Sequence, residues 1–273
     1  MPAKKGRCAV CGEVARLTSD HVPPKSVMPD APVVVERFAR ELIRGGDAGG
    51  LHPGRWSPEF KAVCSQCNNV RLGSAADPAL ARFAIEFKTW VRAAFGLGWS
   101  LPLYATVTIQ PALVARAVFG HLLAGDGARD TTSFVSGGSL NNSMRQYFLS
   151  DQVQIPPEIT LLVWPYPSDV TVIGKGIGHH DYGQSAIFVM DVLKFYPVAF
   201  GVVETSELAN IPWKTSLNSV RVSTIAESAN IDIPLRAVPR IDWPEAPSQR
   251  GFVLTHGPRV MIVKRRPREQ PGT

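Results

Sequence analysis

The chain has no apolar run approaching the roughly 20 residues that a bilayer crossing requires. It also lacks an internal repeat, a heptad run and any low-complexity tract, so it reads neither as a solenoid or coiled coil nor as a compositionally disordered segment. Charged residues are sparse, at 19% of 273, and apolar residues make up an ordinary 45%, which suits a globular protein with a sizeable core. The basic start, Met1-Pro2-Ala3-Lys4-Lys5-Gly6-Arg7, leads into a cysteine pair and not into an apolar segment, so no secretory signal is expected. Cysteine is scarcer still. There are four, and none falls outside two Cys-x-x-Cys pairs: Cys8-Ala9-Val10-Cys11 and Cys64-Ser65-Gln66-Cys67. That usage favours a metal over disulfides and points to the cytoplasm, where thiols stay reduced.

What is present is an excess of positive charge, +6 overall with a pI near 9.3. Residues 1 to 75 hold 11 Lys and Arg against 7 Asp and Glu. A second cluster of Arg259, Lys264, Arg265, Arg266 and Arg268 reads as a solvated tail. The balance is compatible with a polyanionic partner, nucleic acid among them.

Length favours two domains. Residues 1–75 form one unit with a Pro- and Gly-rich insertion at 28–58, in which Val34 to Ile43 has helical spacing. Short strands are expected at Ala15 to Ser19 and Phe60 to Val63, and a short helix from Cys67 to Gly73. Residues 76–273 form the second unit. Asp77-Pro78 reads as a helix start, with Asp at the N-cap, and apolar spacing carries that helix to Gly96. A strand at Leu103 to Ile109 and helices at Ala112 to Leu123 and Gly137 to Leu149 follow, making 77–150 mainly helical. Residues 154–265 turn to strands: 159–164, 170–173, 186–193, 199–204, 220–223, 252–255 and 259–263. The expected class is α+β, with a mainly antiparallel sheet.

Zinc takes four thiolates in a tetrahedron, and each Cys-x-x-Cys pair lets two sulfurs face one ion. Cys8, Cys11, Cys64 and Cys67 are therefore the candidate structural zinc ligands. The 52 residues between Cys11 and Cys64 form a long loop, but closure cost grows only as the logarithm of length, about 3 to 4 kcal/mol here. Structural zinc contributes roughly 10 to 16 kcal/mol in small peptides, enough to close it.

Between the pairs lies Asp20-His21-Val22-Pro23-Pro24-Lys25. Phosphodiester hydrolysis needs a base to activate water and a cation to stabilise the charge that develops. A neutral imidazole is the natural base near pH 7, which nominates His21. Asp20 offers a carboxylate and Asn68 an amide oxygen to a hard cation such as Mg²⁺ or Mn²⁺. Lys25 and Arg71 are candidate phosphate contacts.

The order Cys-x-x-Cys, Asp-His-x-x-Pro, Cys-x-x-Cys-Asn resembles the HNH endonucleases of the ββα-metal (His-Me finger) class with a four-cysteine zinc site, over residues 8 to 74. The resemblance implies a ββα-metal module and a DNA-cleaving nuclease with His21 as general base. It also implies Asp20 and Asn68 as ligands of a catalytic Mg²⁺ or Mn²⁺, with Asn69 as the alternative to Asn68. The family's middle Asn is replaced by Glu59, which could orient the His21 imidazole by accepting its N–H. Residues 76–273 would then supply specificity, a protein partner surface or assembly. The rival reading is a zinc-stabilised nucleic-acid-binding protein with an inactive site.

Other candidates take plainer readings. His179-His180-Asp181, after a Gly-Lys-Gly-x-Gly string without P-loop spacing, reads as a solvated turn between strands. His52 reads as loop, His121 as a core or edge histidine among apolar neighbours, and Trp164, Trp213 and Trp243 as packing residues.

Overall fold

The structure is a computed structural model that describes residues 5–37, 52–96, 103–126, 138–181, 187–211, 215–235, 251–255 and 260–265. It is α+β, and every strand pairing among the described residues is antiparallel. A small sheet holds β1 (Lys5–Arg7), β2 (Val14–His21) and β5 (Glu59–Cys64), in the order β1-β2-β5. β5 runs into a π-helical stretch, Gln66–Ala76, which continues directly into α1 (Asp77–Gly96).

A large sheet takes β3 (Pro32–Arg37), β4 (His52–Arg55), β7 (Ile159–Pro165), β8 (Thr171–Asp181), β9 (Ile187–Phe195), β10 (Val198–Glu204), β12 (Gly251–Thr255) and β13 (Val260–Arg265). Its order is β4-β3-β13-β8-β9-β10-β7, with β12 also on β8. β6 (Tyr104–Ile109) and β11 (Ala229–Pro234) make a separate ladder, and α2 (Pro111–Asp126) and α3 (Gly138–Leu149) complete the elements.

The period-2 alternation of strands divides the core. Leu161, Val163, Phe200 and Val202 join the cluster that includes the helices, while Leu162, Trp164, Ala199 and Val203 join a second cluster on the opposite face. The first cluster is continuous from Cys8, Leu17 and Phe60 of the small sheet through Phe83 and Phe87 of α1 to Phe200 of the large sheet. α2 lies at its centre. Residues 111 to 124 are all buried, as expected of a helix that is apolar on every face but for Arg116 and His121. Gly120 permits this position, because a Cβ there would lie 2.7 Å from Leu72 Cδ2 and 2.8 Å from Phe148 Cε2.

Several expectations need correction. Val34 to Arg37 is strand and not helix, because Val33-Val34-Val35 is β-branched and pairs with β13; the rest of that proposed helix lies outside the described residues. Strands β3 and β4, within the segment read as an insertion, belong to the large sheet. The helix after Cys67 does not stop at Gly73. Asp77 is consequently inside a helix (φ −63°, ψ −43°), its N–H donating to the Leu72 carbonyl, and is not an N-cap. Val220 to Ser223 is not a strand; it follows the short 3-10 turn Leu217–Ser219. His179, His180 and Asp181 lie on β8 and not in a turn, the two histidines paired with both β9 and β12 and Asp181 with β12. Lys264 and Arg265 lie on β13 and not in a tail; Arg259, Arg266 and Arg268 are outside the described residues.

Candidate functional site

Both cysteine pairs sit where the small sheet changes direction. Cys8 and Cys11 close the β1–β2 turn, in which Gly12 N–H donates to the Cys8 carbonyl and Cys8 N–H to the Glu13 carbonyl, both at 2.9 Å. Gly12 has φ +78°, a conformation that favours glycine. Ala9 N–H donates to the Ala62 carbonyl at 2.8 Å and draws the turn against β5, where Cys64 ends the strand and Cys67 lies in the helix that follows.

The four sulfurs all lie within 4.8 Å of one another. Cys11 and Cys64 are 3.8 Å apart, the edge of a tetrahedron with metal–sulfur bonds of about 2.3 Å. None of the four is in a disulfide. Cys64 N–H donates to Cys8 Sγ at 3.3 Å. The Cys67 hydrogen bond pulls the Cys8 thiol down to about 4 against the effect of burial, while burial chiefly pushes Cys11 up to about 11. The Cys8 hydrogen bond drives Cys67 upward as well. An ionised Cys8 raises both Cys11 and Cys67, so a cation among the sulfurs is the natural compensation for further ionisation. This cluster can hold a metal ion such as zinc.

His21 ends β2 directly opposite Glu59 of β5. Its Nδ1 is buried and has no hydrogen-bond partner among the described residues. Burial first, and then the charge of Lys25, push its pKa down; Glu59, the Ser57 backbone and Asp20 oppose them. The imidazole is thus held neutral near pH 7. Its ring meets Trp56 edge-on, with centroids 5.9 Å apart.

Trp56 has φ +67°, an uncommon and strained value for a bulky residue, and such strain gathers at functional sites. Lys25 Nζ stands 4.4 Å and the Arg55 guanidinium 4.6 Å from the Trp56 ring centroid. Arg55 is tied to Asp30 by bonds of 2.5 and 2.7 Å, so Lys25 is the less compensated of the two cations. Nothing in the sequence marked Trp56 beyond its place before Ser57-Pro58.

The loops on either side of His21 are held by Ser57 and not by Glu59. The buried Ser57 Oγ donates to the Pro23 carbonyl at 2.8 Å, and Val22 N–H donates to the Pro58 carbonyl at 3.1 Å. Glu59 is exposed and makes no hydrogen bond to the imidazole; it acts on the ring through its charge.

Asp20 turns inward. It is 5% exposed, and its Oδ2 lies 3.2 Å from Nδ1 of His121 on α2. The other ring nitrogen of His121, Nε2, lies 2.9 Å from Oδ1 of Asp77. His121 is completely buried. Burial lowers its pKa, but the two carboxylates outweigh that effect and push it up to about 10, so both nitrogens donate. Sequence reasoning read His121 as a core or edge histidine and missed both partners. The available signal was a lone polar ring in an apolar helix, which must be satisfied if buried.

Asn68 faces β2. Its Nδ2 donates to Thr18 Oγ1 at 3.1 Å and to the Ser19 carbonyl at 2.9 Å. The Ser19 carbonyl accepts only, which fixes the amide orientation and leaves Oδ1 as the atom available to a ligand. Asn69 instead turns to Ser65 Oγ at 3.0 Å. Arg71 donates to the Leu149 carbonyl at 3.2 Å, at the end of α3. The bulge between Thr18 and Ser19 lies just before Asp20, and bulges re-aim the side chains that follow. One carboxylate and one amide oxygen suit a hard cation that keeps several waters. In chemistry, therefore, Asp20 and Asn68 fit Mg²⁺ or Mn²⁺.

Elsewhere, buried Lys175 pairs with Asp191 and Asn141. The side chains of His52, His179, His180 and Asp181, together with Trp213 and Trp243, lie outside the described residues, and Trp164 is packed in the core. A groove of ≈300 Å³ opens at Ser26, and carries Lys88, Arg92, Lys264 and Arg265 against Asp169. No helix among the described residues is long and apolar enough to cross a membrane. In comparison with known proteins, the chain matches no family model, no curated protein and no solved structure.

Proposed function

We propose that this protein is a metal-dependent endonuclease of the HNH type that hydrolyses DNA, with His21 as its general base. The observation that carries the reading is a neutral imidazole with an unengaged, buried Nδ1, beside Lys25 and on the same β2–β5 ladder that ends at Cys64 of the four-cysteine cluster. Cys8, Cys11, Cys64 and Cys67 hold structural zinc, which keeps β2, β5 and the following helix in register. His21 takes a proton from water as the water oxygen bonds to phosphorus and the bond to the leaving oxygen breaks. Asp20 and Asn68 would hold Mg²⁺ or Mn²⁺, whose chemistry when bound is to stabilise charge on the phosphoryl and leaving oxygens. Burial, with help from Lys25, keeps His21 unprotonated, and Lys25 attracts the phosphate backbone. The groove with Lys88 and Arg92 receives the flanking strand as a sequence-blind electrostatic contact.

The rival, an inactive zinc-stabilised nucleic-acid-binding protein, is favoured by one observation: Asp20 is almost wholly buried and already engaged by His121. Nicking of supercoiled plasmid with Mg²⁺ separates the two. Parent protein is expected to nick and His21→Ala to lose at least ~10²-fold in rate, the usual scale of acid–base catalysis. Equal nicking by both, or by neither, would overturn the assignment of His21.

A further inference from the structure

The structure assigns His121 as the residue that positions Asp20 for its cation, so that a buried helix far along the chain completes the site begun by the Asp20-His21 pair. The inference rests on the nuclease reading only in taking Asp20 as a cation ligand; the contact itself is independent of it.

Asp20 is the penultimate residue of a bulged strand, where nothing in the strand fixes its carboxylate. His121 supplies that restraint. Its Nδ1 donates to Oδ2 of Asp20, while Oδ1 makes no hydrogen bond among the described residues and is the oxygen left for a ligand. A carboxylate ligand held by hydrogen bonding through its other oxygen is the usual arrangement around a bound cation. His121 is itself held by Asp77 through Nε2 and by complete burial. Neighbouring Gly120 brings this part of α2 against Leu72 and Phe148, closer than a Cβ would allow. The relay Asp77–His121–Asp20 thus ties three separate segments to one carboxylate orientation. A buried ring that only filled space would need neither carboxylate, and burying Asp20 with it, with Asp77 half-buried alongside, is costly unless all are paired.

Two substitutions separate positioning from bulk stability. In His121→Asn the amide nitrogen falls near the place of Nδ1 and keeps a donor to Asp20. In His121→Gln it falls near Nε2 and keeps a donor to Asp77 alone. Both lose the ring, and both lose its charge. Mn²⁺ affinity of the zinc-loaded protein, followed by electron paramagnetic resonance, is the primary readout, with Asp20→Ala defining the site.

His121→Gln is expected to weaken Asp20-dependent Mn²⁺ binding by about 10- to 100-fold, the scale seen for residues supporting a ligand. His121→Asn should stay within a few fold of parent. Equal losses in both variants, or Mn²⁺ binding unaffected by Asp20→Ala, would overturn the proposal. Should a variant fail to fold, parent protein with ¹⁵N-labelled histidine serves instead. Stoichiometric Mn²⁺ is expected to broaden the His121 ring signals, and unbroadened His121 signals would overturn the proposal. Plasmid nicking measured alongside keeps the two readings apart: Mn²⁺ affinity that follows the Gln and Asn pattern without any nicking leaves His121 as the positioning residue and removes the nuclease activity.

Discussion

Ser57 donates its hydroxyl to the Pro23 carbonyl across 34 residues of chain, and so joins the loop after His21 to the loop before Glu59. Glu59 occupies the position expected to orient His21, yet the fixing bond comes from its neighbour two residues earlier.

Ser57→Ala strands a buried carbonyl, which costs about 1–3 kcal/mol. We expect a lower thermal midpoint and slower nicking. Glu59→Ala, on an exposed side chain, should leave the midpoint unchanged. Unfolding curves for both variants check this, and a larger loss at Glu59 would refute the assignment of the brace to Ser57.

Lys25 helps to hold the His21 pKa below its ordinary value. A general base works only when deprotonated, so the nicking rate should rise with pH through a midpoint below 6.5. Lys25→Ala removes one lowering influence and should move that midpoint upward. A pH–rate profile unchanged between parent and Lys25→Ala contradicts the prediction.

The His121 pKa is raised to about 10 from an ordinary 6.5, so the folded state binds that proton more tightly than the unfolded chain does. Its contribution to stability is fully present below pH 6.5 and is lost as pH rises through about 10. Denaturant unfolding at pH 6, 8 and 10 should show this decline. A variant lacking the charge, His121→Asn, should be less stable than parent at pH 6 and show a flatter dependence.

Chelation should act on the fold and not only on activity. Removing zinc leaves four crowded thiols, and structural zinc contributes roughly 10–16 kcal/mol in small peptides. Cys67→Ser, or a strong chelator, is expected to abolish stoichiometric zinc and unfold the small sheet, as read by zinc content and circular dichroism. Full thermal stability without bound metal would count against a structural ion.

Lys88 and Arg92 line one wall of the basic groove. Replacing both with Ala should weaken DNA binding about equally for unrelated sequences and reduce the salt slope by about 2. Fluorescence anisotropy across a salt series measures both quantities. An unchanged slope would remove the groove from the DNA path.

The cysteine cluster was legible in the sequence because x-x spacing is a local constraint: two sulfurs per turn face one point whatever surrounds them. The helices of 77–96 and 111–126 and most of the later strands were legible through periodicity, which is also local. Val34 to Arg37 misled, because Val34, Val35, Phe38 and Leu42 have the spacing of one helical face, and only pairing with β13 decides for a strand. The two histidines beside the candidate site show the same division more sharply. His21 was named by its neighbours in sequence, Asp20 and Pro23-Pro24. His121 meets Asp20 across 101 residues and Asp77 across 44, and no local pattern announces such a contact.

By itself, then, the sequence determined which groups are available: four thiols in two pairs, an Asp-His step between them and an amide after the last cysteine. The tertiary structure alone decided how those groups are set. It buried α2 at the centre of the fold and turned Asp20 inward to His121. It also gave the bracing of His21 to Ser57 and left the imidazole beside Lys25 and a strained Trp56. The physical reason is that burial and charge pairing depend on every segment that packs around a residue, and in this chain those segments are far apart in sequence.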